Sequence, residues 1–271
     1  MISAFRFAFL ALVLTFFIPA TAQQTKPFSI GVVDSVQSLE LGEKRMLNIY
    51  LPAGYNPDSA KTYPVIYLLD GSANEDFVHT AGLVQFLTMI EKMSPAIVIG
   101  IANVDRRRDF TFPTTIEADK KAFPTTGGSA KFIAFLEKEL QPYIEKHYKT
   151  NDDKILIGQS LGGLLATEIL FKKYNLFSHY IIVSPSLWWD NQSLLKQETR
   201  VLHSDLPLNI HVLVGQEGKV MKRDARKLAA MLKKSRKPNL KTTFTFLPKE
   251  NHATILHNAI YKALGSLNLE K

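Results

Sequence analysis

The chain has 271 residues, a formal net charge of +8 at pH 7, 46% hydrophobic residues and no cysteine. The missing cysteines exclude a disulfide framework and lipid attachment at a lipobox cysteine, and the seven histidines show neither H-E-x-x-H nor another ligand spacing, so no metal or cofactor is expected. The basic residues are scattered instead of lying along one helix face, which argues against a nucleic-acid partner and for tolerance of anionic ligands or surfaces.

Residues 1–22 open with a single basic residue, Arg6, run uncharged from Phe7 to Ile18 and close on Ala20-Thr21-Ala22. That is the pattern of a signal peptide cleaved before Gln23; its apolar run is short for a bilayer span. A periplasmic or secreted protein without stable membrane insertion is expected. Residues 23–271 contain no linker, repeat or low-complexity stretch and read as one α/β domain.

Phe28 to Leu51 alternates apolar and polar residues, as two antiparallel edge strands would. A turn cluster, Pro52 to Pro57, precedes the apolar run Tyr63 to Leu69, which has the composition of a central parallel strand. That strand ends in Asp70-Gly71-Ser72, ahead of an amphipathic helix carrying Phe77, Leu83, Val84, Leu87 and Ile90. If the strand-to-helix turn at residues 158–162 supplies one oxyanion donor, the N–H of Leu161, this loop is placed to supply the other, the N–H of Ser72. Gly71 would allow the close approach; the alternative is an ordinary Asp-Gly turn.

Ala96 to Ile101 is another core strand, delivering Asn103 to Thr111 to the same end of the sheet. Ligands of open α/β sheets bind beyond the carboxyl ends of the strands, so Arg106 and Arg108 are candidates to meet an anionic group, against the alternative of a solvated loop. Gly127-Gly128-Ser129 lacks the lysine and the preceding strand of a phosphate loop. Ser129 is read instead as the N-cap of a helix with Phe132, Phe135, Leu136, Leu140, Tyr143 and Ile144 on one stripe, and His147 as a partner of that helix's C-terminus.

Residues 154–170 are the centre of the chain. Four residues of strand type end at Gly158, and a helical pattern starts at once with Leu161, Leu164, Leu165 and Ile169. Gly158-Gln159-Ser160-Leu161-Gly162 is G-x-S-x-G between strand and helix, a nucleophile elbow that lifts the Ser160 hydroxyl to the positive end of the helix.

Tyr180 to Val183 is a further strand, ending in Ser184-Pro185-Ser186-Leu187-Trp188-Trp189-Asp190. Tandem tryptophans cannot both face one core, so Trp188 and Trp189 are candidates for an aromatic wall at the site, against packing under a lid helix at 191–199. Ile210 to Val214 leads into Gly215-Gln216-Glu217-Gly218 and a helix from Val220 to Lys234. Thr242 to Leu247 leads into Pro248 to His252 and a closing helix with Ile255, Leu256, Ile260 and Leu264. The repeat of strand, loop and helix predicts a mostly parallel, doubly wound sheet flanked by helices, with one functional edge.

A serine needs a base during attack. His252, in the loop after the last strand, stands where the chain order Ser, acid, His puts one; His79, His179, His203, His211 and His257 do not. Glu217, after the penultimate strand, is the candidate acid, with Asp205 as its competitor.

Taken together, Val65 to Gly71, Asn103 to Arg106 and on to Thr111, Gly158 to Gly163, Ser184 to Trp189 and Glu250-Asn251-His252 resemble the putative esterase family of α/β-hydrolases. That group includes siderophore esterases, S-formylglutathione hydrolases, feruloyl esterases and mycolyltransferases, and the siderophore branch looks nearest. The resemblance implies Ser160 as nucleophile, His252 as base and Glu217 as acid, with a Ser-His dyad in some members. Gln159 stands where His is frequent. The expectation is a serine esterase acting through an acyl-enzyme on a small-molecule ester, with a siderophore trilactone as one candidate and the arginine loop facing a ferric catecholate. An acyltransferase using the same intermediate and a non-catalytic ferric-siderophore binding protein are the alternatives.

Overall fold

The computed structural model describes residues 26–197, 201, 205–234 and 238–267. The signal-peptide reading, His203 and the end of the expected lid helix lie outside the described residues.

Eight strands form one sheet in the order β1-β2-β4-β3-β5-β6-β7-β8. β1 (Val32–Ser38) pairs antiparallel with β2 (Glu43–Tyr50), and β2 antiparallel with β4 (Ile97–Ile101). β3 (Tyr63–Leu68) pairs parallel with β4 and with β5 (Thr150–Gln159), and β6 (His179–Val183), β7 (Leu208–Gly215) and β8 (Leu240–Leu247) continue in parallel. This is the mostly parallel sheet expected of an α/β-hydrolase.

Helices cover both faces, which is why the central strands are apolar throughout instead of alternating. Ile155, Ile157, Ile181 and Val183 point into one core with Phe77 and Val84 of α1 (Phe77–Met89) and Ile255 and Ile260 of the closing helix. Leu156, Tyr180, Ile182 and Val212, one step out of phase, point into the other core. There they meet Phe110 of α2 (Arg106–Phe110), Phe132 of α4 (Ser129–Phe135) and Ile144 of α5 (Gln141–His147), the last two joined by a π turn over Leu136–Leu140. α3 (Glu117–Ala122) lies outside on the same loop excursion, without a buried residue. Leu165 and Ile169 of α6 (Leu161–Lys172) and Leu228 of the helix after β7 fill the rest.

Three local expectations change. The cap of α4 is Gly128, and the Ser129 hydroxyl is buried with no hydrogen-bond partner among the described residues, while its N–H reaches the Thr111 carbonyl (3.1 Å). No lid helix starts at residue 191. α7 (Trp189–Gln192) instead passes through left-handed backbone at Asp190 (φ 47°), Asn191 (φ 51°) and Gln192 (φ 61°) and runs into a 3-10 turn, Ser193–Lys196. Asp and Asn tolerate that region, and the Asp190 carboxylate is held by the Thr115 N–H (2.7 Å) and the hydroxyls of Thr114 and Thr115 (3.0 Å each). Gly71 makes its close approach to the backbone of β4: a Cβ there would sit 2.3 Å from the Gly100 Cα. His147 behaves as expected, its Nδ1–H donating to the Tyr143 carbonyl (2.7 Å). The helix after β7 is α8 (Lys219–Lys233) and the closing helix is α9 (Ile255–Leu264).

Candidate active site

β5 ends in a turn that only glycine permits. A Cβ on Gly158 would lie 2.4 Å from the Gly162 carbonyl oxygen, and Ser160 between them adopts φ 59°, ψ −118°. The strain is held by three backbone bonds: Ser160 N–H to Val183 O (3.0 Å), and the N–H groups of Leu164 and Ser186 to Ser160 O (2.9 Å each). This turn raises the Ser160 hydroxyl over the carboxyl edge of the sheet, at the start of α6.

Loops after β7 and β8 bring the other two groups to it. His252 Nε2 lies 3.1 Å from Ser160 Oγ, and His252 Nδ1 lies 2.7 Å from Glu217 Oε2. With Nδ1–H donated to the carboxylate, Nε2 is left as an acceptor for the serine hydroxyl. The second Glu217 oxygen accepts from the Ser184 hydroxyl and from the Gly215 N–H (3.0 Å). Burial pushes the Glu217 carboxyl up, but the hydrogen bonds from His252, Ser184 and Gly215 outweigh it and hold the group below the usual carboxylate range.

The His252 loop is fixed at both ends. Gln216 N–H donates to Glu250 O (2.6 Å), and Asn251 Oδ1 accepts from the N–H groups of Ala253 (2.8 Å) and Thr254 (3.2 Å). Gln159 gives the remaining tie, its Nε2 donating to the His252 carbonyl at 2.5 Å, so the residue that departs from the common elbow pattern joins the Ser160 turn to the His252 loop. The sequence alone assigns it no role, because its partner lies on the loop after β8.

Of the two N–H groups assigned to an oxyanion, that of Leu161 is the first of α6, where no intrahelical acceptor exists. The Ser72 N–H is directed at Glu75 Oε2 (3.3 Å). The site opens on two sides of Ser160. On one, a cavity of about 420 Å³ is lined by Asp70, Glu75, Asp76, Arg106, Gln159, Ser160 and His252. Arg106 is present as expected, but its guanidinium is spent on Asp70 in a bidentate pair (2.6 and 2.8 Å), with Asn103 on the same carboxylate (2.7 Å). Arg108 does not reach the cavity. It turns away to Asp109 (2.7 Å) and Glu43 (2.6 and 3.1 Å), beside the fully buried Arg45 that shares both carboxylates.

On the other side a cavity of about 540 Å³ is lined by Ser160, Ser186, Trp188, Met221, His252 and Ala253, with parts of the Glu217 and Asn251 loops. Trp188 is thus where a wall was expected. Trp189 is not: it is fully buried, donates its indole N–H to Phe112 O (2.9 Å) and packs edge-on against Phe123. Its polar handle is satisfied inside the core, which is how a large amphipathic ring is buried without cost to its N–H. Among the described residues no cluster of three or more His, Cys, Asp or Glu side chains could hold a metal ion.

The sheet order and the strand-turn-helix at Ser160, with an imidazole and a carboxylate in line beside it, are those of an α/β-hydrolase fold. A family model described as "Putative esterase" matches residues 38–258, and the chain belongs to that family. It is 29% identical over 245 residues to the ferri-bacillibactin esterase BesA of Bacillus subtilis (strain 168), covering 82% of this chain and 84% of that protein. The crystal structure of the BES protein from Bacillus cereus superposes with a TM-score of 0.79 at 31% identity, over 90% of this chain and 98% of that one. An IroE-like serine hydrolase from Shewanella oneidensis gives a TM-score of 0.78, also at 31% identity, over 87% and 79%. The chain is therefore a carboxylic ester hydrolase, which sets aside the non-catalytic alternative.

Proposed function

We propose that this ester hydrolase works through an acyl-enzyme, with Ser160 as nucleophile, His252 as general base and acid, and Glu217 as the group that orients and stabilises the imidazolium. The observation that carries the reading is the unbroken chain Ser160 Oγ, His252 Nε2, His252 Nδ1, Glu217 Oε2, with links of 3.1 and 2.7 Å. Ser160 attacks the ester carbonyl as its proton passes to His252. The Leu161 N–H takes the developing oxyanion, together with the Ser72 N–H once the carbonyl oxygen replaces Glu75. His252 then protonates the departing alkoxide, and water repeats the sequence to release the acid.

The substrate we favour is a siderophore-type ester, a lactone or hydroxy-acid ester with an aryl or otherwise bulky acyl part. The ferri-bacillibactin esterase supports the class, and the cavity under Trp188 and Met221 supports an apolar acyl group. The charged cavity does not favour a polyanionic chelate beside the serine, since Arg106 is paired with Asp70 and two more carboxylates stand next to it. The iron-free ester is accordingly the better substrate in this reading. Export by the residue 1–22 segment, with 23–271 as one domain, fits a protein that meets siderophores outside the cytoplasm; no helix among the described residues is long and apolar enough to cross a membrane.

The test is hydrolysis of p-nitrophenyl acetate and butyrate, a feruloyl ester, and iron-free and ferric trilactones by wild type and Ser160→Ala. The expected result is a loss of about 10³-fold or more in kcat on every cleaved substrate, with unchanged thermal unfolding. Undiminished hydrolysis by the mutant would remove Ser160 from the reaction. An added alcohol that competes with water for the acyl group would move the assignment to acyl transfer.

A further inference from the structure

A second hydroxyl stands beside the nucleophile, and the triad does not use it. Ser186 Oγ lies 3.3 Å from Ser160 Oγ, whose own link to His252 Nε2 is 3.1 Å. Ser186 is 2% exposed and lines the apolar cavity. Its backbone N–H already holds the Ser160 carbonyl (2.9 Å), so the residue is fixed to the elbow independently of its side chain. Among the described residues its hydroxyl has no other partner.

We propose that Ser186 is a catalytic residue of the second half-reaction, donating a hydrogen bond to Ser160 Oγ as the acyl group leaves. The proposal rests on the acyl-enzyme reading above. In the free enzyme the Ser160 hydroxyl gives its proton to His252 Nε2, so the 3.3 Å contact is completed by the Ser186 O–H donating to a Ser160 lone pair. In the acyl-enzyme that oxygen is an ester oxygen, a weak acceptor. Deacylation then runs as follows at the atoms: a water oxygen bonds to the acyl carbon while its proton passes to His252 Nε2. The tetrahedral intermediate collapses by breaking the bond from carbon to Ser160 Oγ. The electron pair stays on Oγ, and His252 returns the proton to it. Charge develops on Oγ beside the Ser186 O–H, where a fixed donor acts without reorganisation.

The same bond is nearly silent in acylation. Free Ser160 already accepts it in the ground state, so most of its stabilisation is shared by ground state and transition state, and the shared part does not speed the step. The donor therefore helps chiefly the step that starts from the ester. This asymmetry separates a catalytic hydroxyl from a structural one.

The experiment is stopped-flow hydrolysis of p-nitrophenyl acetate, whose good leaving group makes deacylation limiting, with acid-quench mass spectrometry of the adduct on Ser160. For Ser186→Ala we expect kcat to fall about fivefold to tenfold, as loss of one hydrogen bond allows. KM should fall in step, kcat/KM should stay within about twofold, and the acyl adduct should accumulate more fully. Ser186→Cys, near in size and a weak donor, should behave like alanine, and Ser186→Thr should retain wild-type deacylation; this pair keeps the test decisive if the alanine variant folds poorly. Unchanged kcat in both Ser186→Ala and Ser186→Cys, or equal falls in kcat and kcat/KM, would overturn the proposal while leaving the acyl-enzyme intact. A wild type that forms no adduct on Ser160 would overturn the acyl-enzyme reading itself, and the role of Ser186 with it.

Discussion

The two sides of Ser160 are built from different loops and do opposite things to a carboxyl group. On the Trp188 side, loops after β6, β7 and β8 surround Glu217 with donors, and its carboxyl is held below the ordinary range despite burial. On the Arg106 side, loops after β3 and β4 place Asp76 beside Asp70 and Glu75. Burial first, and those two charges second, push its carboxyl up to about 6. Both groups are at least partly withdrawn from water; donors on the one and like charges beside the other decide the sign. A carboxyl with directed donors is fit to steady an imidazolium, whereas one crowded by its own kind stores unfavourable charge next to Ser160.

Glu217 is where this contrast breaks most visibly. Glu217→Gln keeps the shape but presents an amide to three donors, those of His252, Ser184 and Gly215. The imidazole then loses the partner that fixes its tautomer. A fall in kcat of about 10²-fold to 10⁴-fold with little change in KM is expected, measured on p-nitrophenyl butyrate. A loss of less than about tenfold would mean that Ser160 and His252 work as a dyad and that the donor shell around Glu217 serves folding alone.

Removing the tie between the sides comes next. Gln159 lines the charged cavity, yet its amide holds the His252 carbonyl. Gln159→Ala should lower kcat about fivefold to tenfold, the worth of one short hydrogen bond that sets an angle. It should also slow inactivation by a phenylmethylsulfonyl reagent by a similar factor, because that reaction needs only the serine and its base. Rescue by Gln159→His would assign the effect to donation toward the loop. An unchanged inactivation rate would sink the positioning role.

How these residues were legible in the sequence follows from the reach of the forces that place them. Ser160, His252 and Glu217 sit at chain positions fixed by strand-loop-helix periodicity, so local pattern and loop order located them, and the same pattern gave the sheet. Arg108 and Trp189 were misplaced because their partners are distant in sequence: Glu43 lies on β2, and Phe112 and Phe123 lie on the excursion after α2. Nothing in a run of three arginines says which one meets a carboxylate 36 or 65 positions away. Ser184 and Ser186 stood in plain view within Ser-Pro-Ser, but hydroxyls gain a role only from what lies within about 3 Å. The left-handed turn at Asp190 was hidden for the same reason, since the threonines that hold it precede it by 75 and 76 residues.

Selectivity sharpens the comparison on a smaller scale. Trp188→Ala opens the apolar side and should raise KM for aryl and butyryl esters about tenfold, within the range of a buried aromatic contact, while acetate hydrolysis changes little. Arg106→Met leaves Asp70, Glu75 and Asp76 without their cation and should instead weaken ferric trilactone relative to the iron-free form. If the two variants changed the same substrates, the cavities would be one continuous site.

The smallest expected effect tests whether charge is stored on the Arg106 side at all. Asp76 follows Glu75 into α1 and carries its carboxyl at about 6 instead of 3.8. A raised value means the folded chain holds the proton more tightly than the unfolded one. The stability this confers is therefore fully present below the unfolded value, and it is lost as pH rises through about 6. Asp76→Asn mimics the protonated form at every pH. It should match wild type at pH 4 and exceed it at pH 7 by about 1 kcal/mol, a figure reduced for the half-exposed position of the group. In thermal unfolding that is a rise of about 2–4 °C in Tm at pH 7, against none at pH 4. Glu217→Gln should show the opposite pH dependence, costing most above the carboxylate range and least in acid, because its carboxyl is held down. Parallel melting curves for the two variants would mean that solvent screens both cavities equally. Crossed curves would establish that one wall of the site is arranged for its charge and the other against it.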